Sequence, residues 1–328
     1  MKRMGNLYQN IYNLDNIVLA YDEVCRNTRN KNKTNNYKEY KCVYISRIYT
    51  ILKNKQYVPG PYNKFIIYEP KQRKIASQGM IDKTINHLVA RFILYPAILP
   101  SLLDVNVASR KFLGTKAGLD LFKKYGTICK IKYNNYYILK CDISSFFSSI
   151  DQDILKEKIK RKIKDKDALK ITFDIIGSEE KGLNIGSMTS QILAIFYLND
   201  MDHFIKETLK IKYYIRYQDD FLLFHNSKEY LKYCLVEISK FLEKEKLQLN
   251  RKTRIFKSTD NFIFLGRNKK GKYSKYRVVK RRLRKRQKLY DRKKLKLNNI
   301  ACSLISYEYL CRKRFKNVKM LILWKLYK

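Results

Sequence analysis

The chain has 328 residues, enough to bury a substantial core as one large domain or as two to three lobes. Its 71 Lys and Arg against 29 Asp and Glu give a formal net charge of +42, which makes a polyanion the natural partner and favours nucleic acid over an acidic membrane surface. The wealth of Lys, Asn, Ile and Tyr that an AT-rich genome produces accounts for part of that excess. Seven Cys residues stand in no metal-ligand spacing, no apolar run follows the charged N-terminus, and Met320 to Trp324 is too short to span a bilayer; the expectation is a cytoplasmic protein with reduced thiols and no membrane segment.

Leu7, Ile11, Leu14, Val18, Tyr21 and Cys25 recur every three to four residues and predict one amphipathic helix. A polar stretch from Arg26 to Asn36 follows. A second helix through Tyr40, Val43, Tyr44, Ile48, Ile51 and Leu52 is stopped by Tyr57-Val58-Pro59-Gly60-Pro61. Phe65 to Glu69 and Lys74 to Ser77 read as a hairpin around Pro70-Lys71-Gln72-Arg73, a basic turn that suits a triphosphate or template backbone, or plain solvent. Asp82 to Tyr95 reads as a buried helix ended by Pro96, with His87 structural. Ser109 to Thr115 is a basic, Gly-containing approach to a helix that carries Leu119, Phe122 and Tyr125. Its amides and Arg110 suit phosphate, and a plain helix start is the other reading.

Tyr136 to Asp142 is an apolar strand ending in an acid, with Phe146 and Phe147 just beyond. Two Lys-rich helices, Asp151 to Ile163 and Asp165 to Ile176, lead through a loop into Ile185-Gly186-Ser187-Met188-Thr189-Ser190-Gln191 and a helix running into Phe204. Small residues in such a loop let backbone approach a base pair closely. Tyr213 to His225 reads as a hairpin with Gln218-Asp219-Asp220 at its tip. Leu231, Leu235, Ile238 and Leu242 then mark a helix, Leu247 to Phe256 an extended segment carrying Lys252, and Phe262 to Arg267 a short strand and turn. From Arg277 the composition shifts to Lys and Arg, which reads as a solvated basic helix or as a lobe gripping a duplex backbone.

Adjacent carboxylates between strands built for burial repel each other and call for a cation. Hard oxygen ligands on a rigid element suit Mg²⁺, which takes one or two carboxylates plus the phosphates of a substrate. An isolated Asp-Asp turn is more often merely solvated, but here a second strand also ends in an acid. If that strand pairs beside the hairpin, Asp142 and Asp219 grip two ions from opposite sides, as in-line phosphoryl transfer requires.

In order and spacing these pieces resemble a reverse transcriptase over nearly the whole chain. Asp142 with Phe146 and Phe147 resembles the first catalytic motif, Gly186 to Gln191 the loop beneath the nascent base pair, Tyr217 to Asp220 the tyrosine-x-aspartate-aspartate box, and Phe264-Leu265-Gly266 the primer-grip turn. The resemblance implies an α+β right-hand polymerase. Fingers would span 1–135, a palm with an antiparallel sheet 136–276 with a helical insertion at about 151–182, and a short basic helical thumb 277–328. It also implies two Mg²⁺ ions, with Mn²⁺ as a substitute, held by Asp142, Asp219, Asp220 and the Ile143 carbonyl. Phe147, or Phe146 if the register differs by one, would lie under the nucleotide sugar. Arg73 with Lys71 or Lys74 would meet the triphosphate, and Lys252 would protonate pyrophosphate. Met80-Ile81-Asp82-Lys83 stands where the family is more basic.

The loop usually has Gln before its Gly and Pro after its Ser, and here those positions are Ile185 and Gln191. That pattern resembles the bacterial and phage enzymes of diversity-generating retroelements, which copy a template RNA with errors at adenine. The resemblance implies template RNA, the RNA–cDNA duplex, dNTPs and a basic accessory protein as partners, with Ile185, Gly186, Ser190, Gln191 and Arg110 touching template or nucleotide. Retron-like or antiviral-defence reverse transcriptases, and a non-catalytic RNA-binding module, are the alternative readings.

Overall fold

The computed structural model describes residues 3–28, 31–67, 73–268 and 275–292. The turn at Pro70 to Gln72, the side chain of Lys74 and the chain beyond 292, with its Met320 to Trp324 run, lie outside the described residues. Two compact units result: Met1–Lys64 with Ala76–Asp260, and Phe65–Ile75 with Asn261–Lys328.

The N-terminal periodicity forms two pieces rather than one helix. A single 3₁₀ turn, Tyr8–Ile11, precedes α1 (Leu14–Asn27), because the Asn13 side chain caps α1 by accepting the Asn16 amide. The stretch expected to be polar coil is partly helical: α2 (Lys31–Glu39) forms and buries Tyr37 against Tyr21, ring centroids 4.4 Å apart. After α3 (Lys41–Lys53) come the paired strands β1 (Asn63–Ile67) and β2 (Arg73–Ser77). Next, α4 (Met80–Val89) does not stop at Pro96. It widens into a π turn, Ala90–Leu94, and continues as α5 (Tyr95–Ile98), so the missing proline N–H falls where the helix has already loosened.

The remaining elements are α6 (Thr115–Tyr133), β3 (Tyr137–Asp142), α7 (Phe146–Ser149), α8 (Gln152–Lys160), α9 (Lys166–Gly177), α10 (Met188–Tyr197), α11 (Asn199–His203), β4 (Tyr213–Tyr217) and β5 (Asp220–His225). Beyond them lie α12 (Lys228–Lys244), β6 (Arg254–Lys257), β7 (Ile263–Phe264), β8 (Arg267–Asn268) and α13 (Lys275–Asp291). The segment carrying Lys252 is a turn, not strand: Asn250 accepts the Thr253 amide on its carbonyl and the Lys252 amide on its side chain, so extension begins only at β6.

The sheet that organises the larger unit is antiparallel, in the order β4-β5-β3-β6. Leu139, Cys141, Tyr214, Phe221 and Leu223 share one face of it. They join the main core together with α10 and one face of α12, where Leu231, Cys234, Ile238 and Leu242 recur at helical spacing. Toward the far end of the opposite face, α6 packs Phe122 and Tyr125 against Phe224 and Tyr213. The outer edge of β4 is not left bare. Arg216 donates its amide to Val105 and its carbonyl accepts from Val107, so this segment completes the ladder.

Candidate active site

The β3–β5 register sets Asp142 directly opposite Asp220, and the β4–β5 register sets Tyr217 opposite Asp220, so all three share the face not covered by α10 and α12. Asp219 sits on the two-residue turn that closes the hairpin, beside Gln218, whose backbone is left-handed (φ 57°) as such a turn requires at its first position. Asp142, Asp219 and Asp220 are all half-buried. Burial pushes the Asp220 carboxyl up to about 6, and Asp142 and Asp219 push the same way. Lys140, two residues before Asp142 on the same face, opposes them with an ion pair to Asp220.

Among the described residues no three His, Cys, Asp or Glu side chains form a ready metal cage. A pair of carboxylates that also relies on substrate phosphates does not need one. The crowding of Asp142 and Asp219 on Asp220 is what a set of hard oxygen donors suffers without a cation, and the donor chemistry fits Mg²⁺. The Ile143 carbonyl follows directly on Asp142. In the bridge between Ile143 and Leu249 the hydrogen bonds come from the neighbours, Asn250 N–H to Asp142 O and Ser144 N–H to Gln248 O, so the bridge leaves the Ile143 carbonyl unused.

Phe146 and Phe147 separate cleanly. Ser145 turns left-handed (φ 48°) and sends Phe146 into the core at 3% exposure, leaving Phe147 half-exposed. Behind Phe147 the chain approaches closely at Gly182 (φ 69°), where a Cβ would stand 2.5 Å from the Phe147 carbonyl oxygen; any side chain there would push the two segments apart. Leu183 N–H donates to that same oxygen at 2.7 Å.

The loop before α10 is braced from below. The Ser187 hydroxyl donates to the Asn86 side-chain oxygen on α4 (3.1 Å), as does that of Thr189 (2.6 Å), and Ser190 donates to Asn184 (3.0 Å). Ser190 is buried and engaged in this bracing. Gly186 (φ 127°) and Gln191 remain exposed, with Ile185 half-buried. Arg110 is also spent internally. Its guanidinium donates to the Leu103 and Asn106 carbonyls and to Asp104, and so holds the 103–110 loop. Lys252 is exposed on its turn. Arg73 heads β2 within the second unit, is exposed, and is followed by Lys74.

What sequence reasoning passed over lies under the hairpin. Arg216 is fully buried, pairs with Asp202 of α11, and donates to the Ile195 carbonyl (3.0 Å) and to the carbonyl of Gln218 in the turn itself (3.2 Å). Tyr214 donates to the same carboxylate at 2.7 Å. Burial pulls the Arg216 pKa down, Asp202 more than offsets it, and the guanidinium stays charged. The turn is gripped a second time where the Gln218 amide donates to Ser109 (2.7 Å). The signal was a charge within the apolar run Tyr213 to Tyr217, which only a buried partner allows.

A mixed α+β fold with an antiparallel sheet and acids opposed on two of its strands is compatible with a nucleic-acid polymerase. The family described as reverse transcriptase (RNA-dependent DNA polymerase) matches residues 34–269, and the chain belongs to it. Members bind template RNA and nucleic-acid duplex and generally use divalent metals. Among solved structures the chain is similar to the telomerase of Candida albicans in complex with a TWJ fragment of telomeric RNA, at 13% identity and TM-score 0.51, over 83% of this chain and 60% of that one. It is also similar to an apo telomerase from Candida tropicalis truncated from its C-terminal domain, at 16% identity and TM-score 0.48, over 66% and 56%. The chain thus spans less than two thirds of either telomerase, and the first likeness is one of fold. No curated protein matches it.

Proposed function

We propose that this chain copies an RNA template into DNA at Asp142, Asp219 and Asp220, with the four-stranded sheet as palm and the basic helix α13 belonging to a thumb. The observation that carries the reading is the β3–β5 register, which opposes Asp142 to Asp220 one residue from Asp219. Divalent ions, when bound, supply the Lewis acid that neutralises charge on the attacking and leaving oxygens. Asp142 and Asp219 would hold them, with Asp220 and the Ile143 carbonyl in support. Phe147, the accessible ring of its pair, would lie beneath the sugar and exclude a 2′-hydroxyl.

Within the family, Ile185 and Gln191 support the error-prone role of a diversity-generating retroelement, a role that would bring a basic accessory protein with it. Ile185, at the loop before α10, cannot make the polar contacts a Gln would, which loosens inspection of the base pair. One experiment tests both levels: primer extension on an RNA template with the products sequenced. Asp219→Ala should abolish extension while RNA binding persists. The wild-type products should carry errors concentrated opposite template adenines. Extension surviving Asp219→Ala overturns the assignment of the site, and an even error spectrum favours a retron-like or defence role instead.

A further inference from the structure

The loop between the β4 edge and α6 carries a side chain that neither the fold nor the catalytic reading uses. Phe112 is 91% exposed, and Leu113 beside it is 41% exposed. Single exposed apolar residues are common, but a ring this open offers a whole π-face for stacking. Its backbone is unfavourable, since at φ 64° it occupies the left-handed region that bulky residues avoid. The loop is nonetheless firmly built. Lys111 N–H donates to the Tyr95 hydroxyl (3.0 Å), Leu113 N–H donates to the Arg110 carbonyl (3.2 Å), and the Arg110 guanidinium anchors the base of the loop. The ring is thus presented by its surroundings, with the Lys111 ammonium 5.1 Å from its centroid.

Its position adds the second observation. Three residues before Phe112, Ser109 receives the hydrogen bond from Gln218 in the Asp219 turn, and three residues after it, the Thr115 hydroxyl lies 3.4 Å from that of Tyr217. The loop is therefore fastened at both ends to the hairpin that carries the acids. We infer that Phe112, with Lys111, is a stacking platform for an unpaired base of the RNA template next to the candidate active site. Every base has a π-face that such a ring accepts without sequence preference, and the neighbouring cation suits the adjoining phosphate. Bases already stacked within a duplex have no such face to offer, so a splayed single-stranded nucleotide is the better occupant. The net charge of +42 makes nucleic acid the complementary partner. This inference rests on the polymerase reading above.

The test compares two labelled substrates by fluorescence anisotropy on the full chain: an RNA–DNA duplex with a single-stranded RNA overhang, and the same duplex made blunt. Phe112→Ala should weaken the overhang substrate roughly tenfold and leave the blunt one within a factor of about two, while Phe112→Trp keeps wild-type affinity. Phe112→Gly should weaken it equally and yet raise the melting temperature, because glycine adopts the left-handed backbone freely. Equal losses on both substrates, or none on either, overturn the inference. So does unchanged RNA binding accompanied by loss of self-association, which would make the patch a protein interface. Wild-type primer extension separates the two levels: its absence sinks the polymerase reading, whereas its presence with unaltered Phe112→Ala binding sinks this inference alone.

Discussion

Asp220 is where three demands meet. Burial and the two neighbouring acids raise its carboxyl to about 6, and Lys140 only partly offsets them. Because the folded pKa lies above the unfolded one, the metal-free protein gains its proton-linked stability at low pH and loses it as pH rises toward 6. Binding of a divalent cation needs the ionised form and works the other way. Mg²⁺ should therefore raise the melting temperature at pH 8, by the equivalent of about 2.7 kcal/mol at a hundredfold excess over its dissociation constant, and this gain should shrink as pH falls through 6. Scanning fluorimetry across pH with and without Mg²⁺ measures it. A gain that is the same at pH 5 and pH 8, or that survives Asp142→Asn combined with Asp219→Asn, would show the ion sits elsewhere. The acids themselves were legible as two apolar runs each meeting a carboxylate. Lys140 could have been read by alternation, two places before Asp142 on one face. The choice between Phe146 and Phe147 could not, because it depends on the left-handed turn at Ser145.

At the level of elements, the hairpin tip is held from beneath by a buried ion pair between β4 and α11. Such a pair is weak evidence of stability, but removing one partner leaves the other charge buried and alone, at a cost of about 3–5 kcal/mol. Asp202→Asn should therefore lower stability by about that amount in chemical denaturation. Since Arg216 also donates to the Gln218 carbonyl, primer extension should fall further than the loss of folded protein explains. An extension rate that merely tracks the folded fraction would reduce the pair to a core feature. Helices with clean spacing, such as α3 and α12, were legible from their apolar residues alone. Three features were not, each for a tertiary reason: α2 forms where Tyr37 finds Tyr21, the helix passes Pro96 by widening, and the Asn250 side chain closes the turn at Lys252. Local propensity is a weak prior where a contact far along the chain decides.

For the whole molecule the open question in the sequence was how much of the +42 charge is function and how much is composition. The family's members bind nucleic acid, and one basic surface lies on α13, where Arg281, Arg284 and Lys285 are exposed around the buried Leu283. If the charge is functional, binding of an RNA–DNA duplex must release counterions. The affinity should then fall by roughly three orders of magnitude between 50 mM and 200 mM salt, as about six or more phosphate contacts imply. Arg281→Ala and Arg284→Ala should each lower the slope of log affinity against log salt by about one, without changing the preference among sequences. Titrations at four or five salt concentrations for the three proteins decide it. A shallow wild-type slope, or one untouched by both substitutions, would assign the basicity of α13 to composition and place the duplex on another surface.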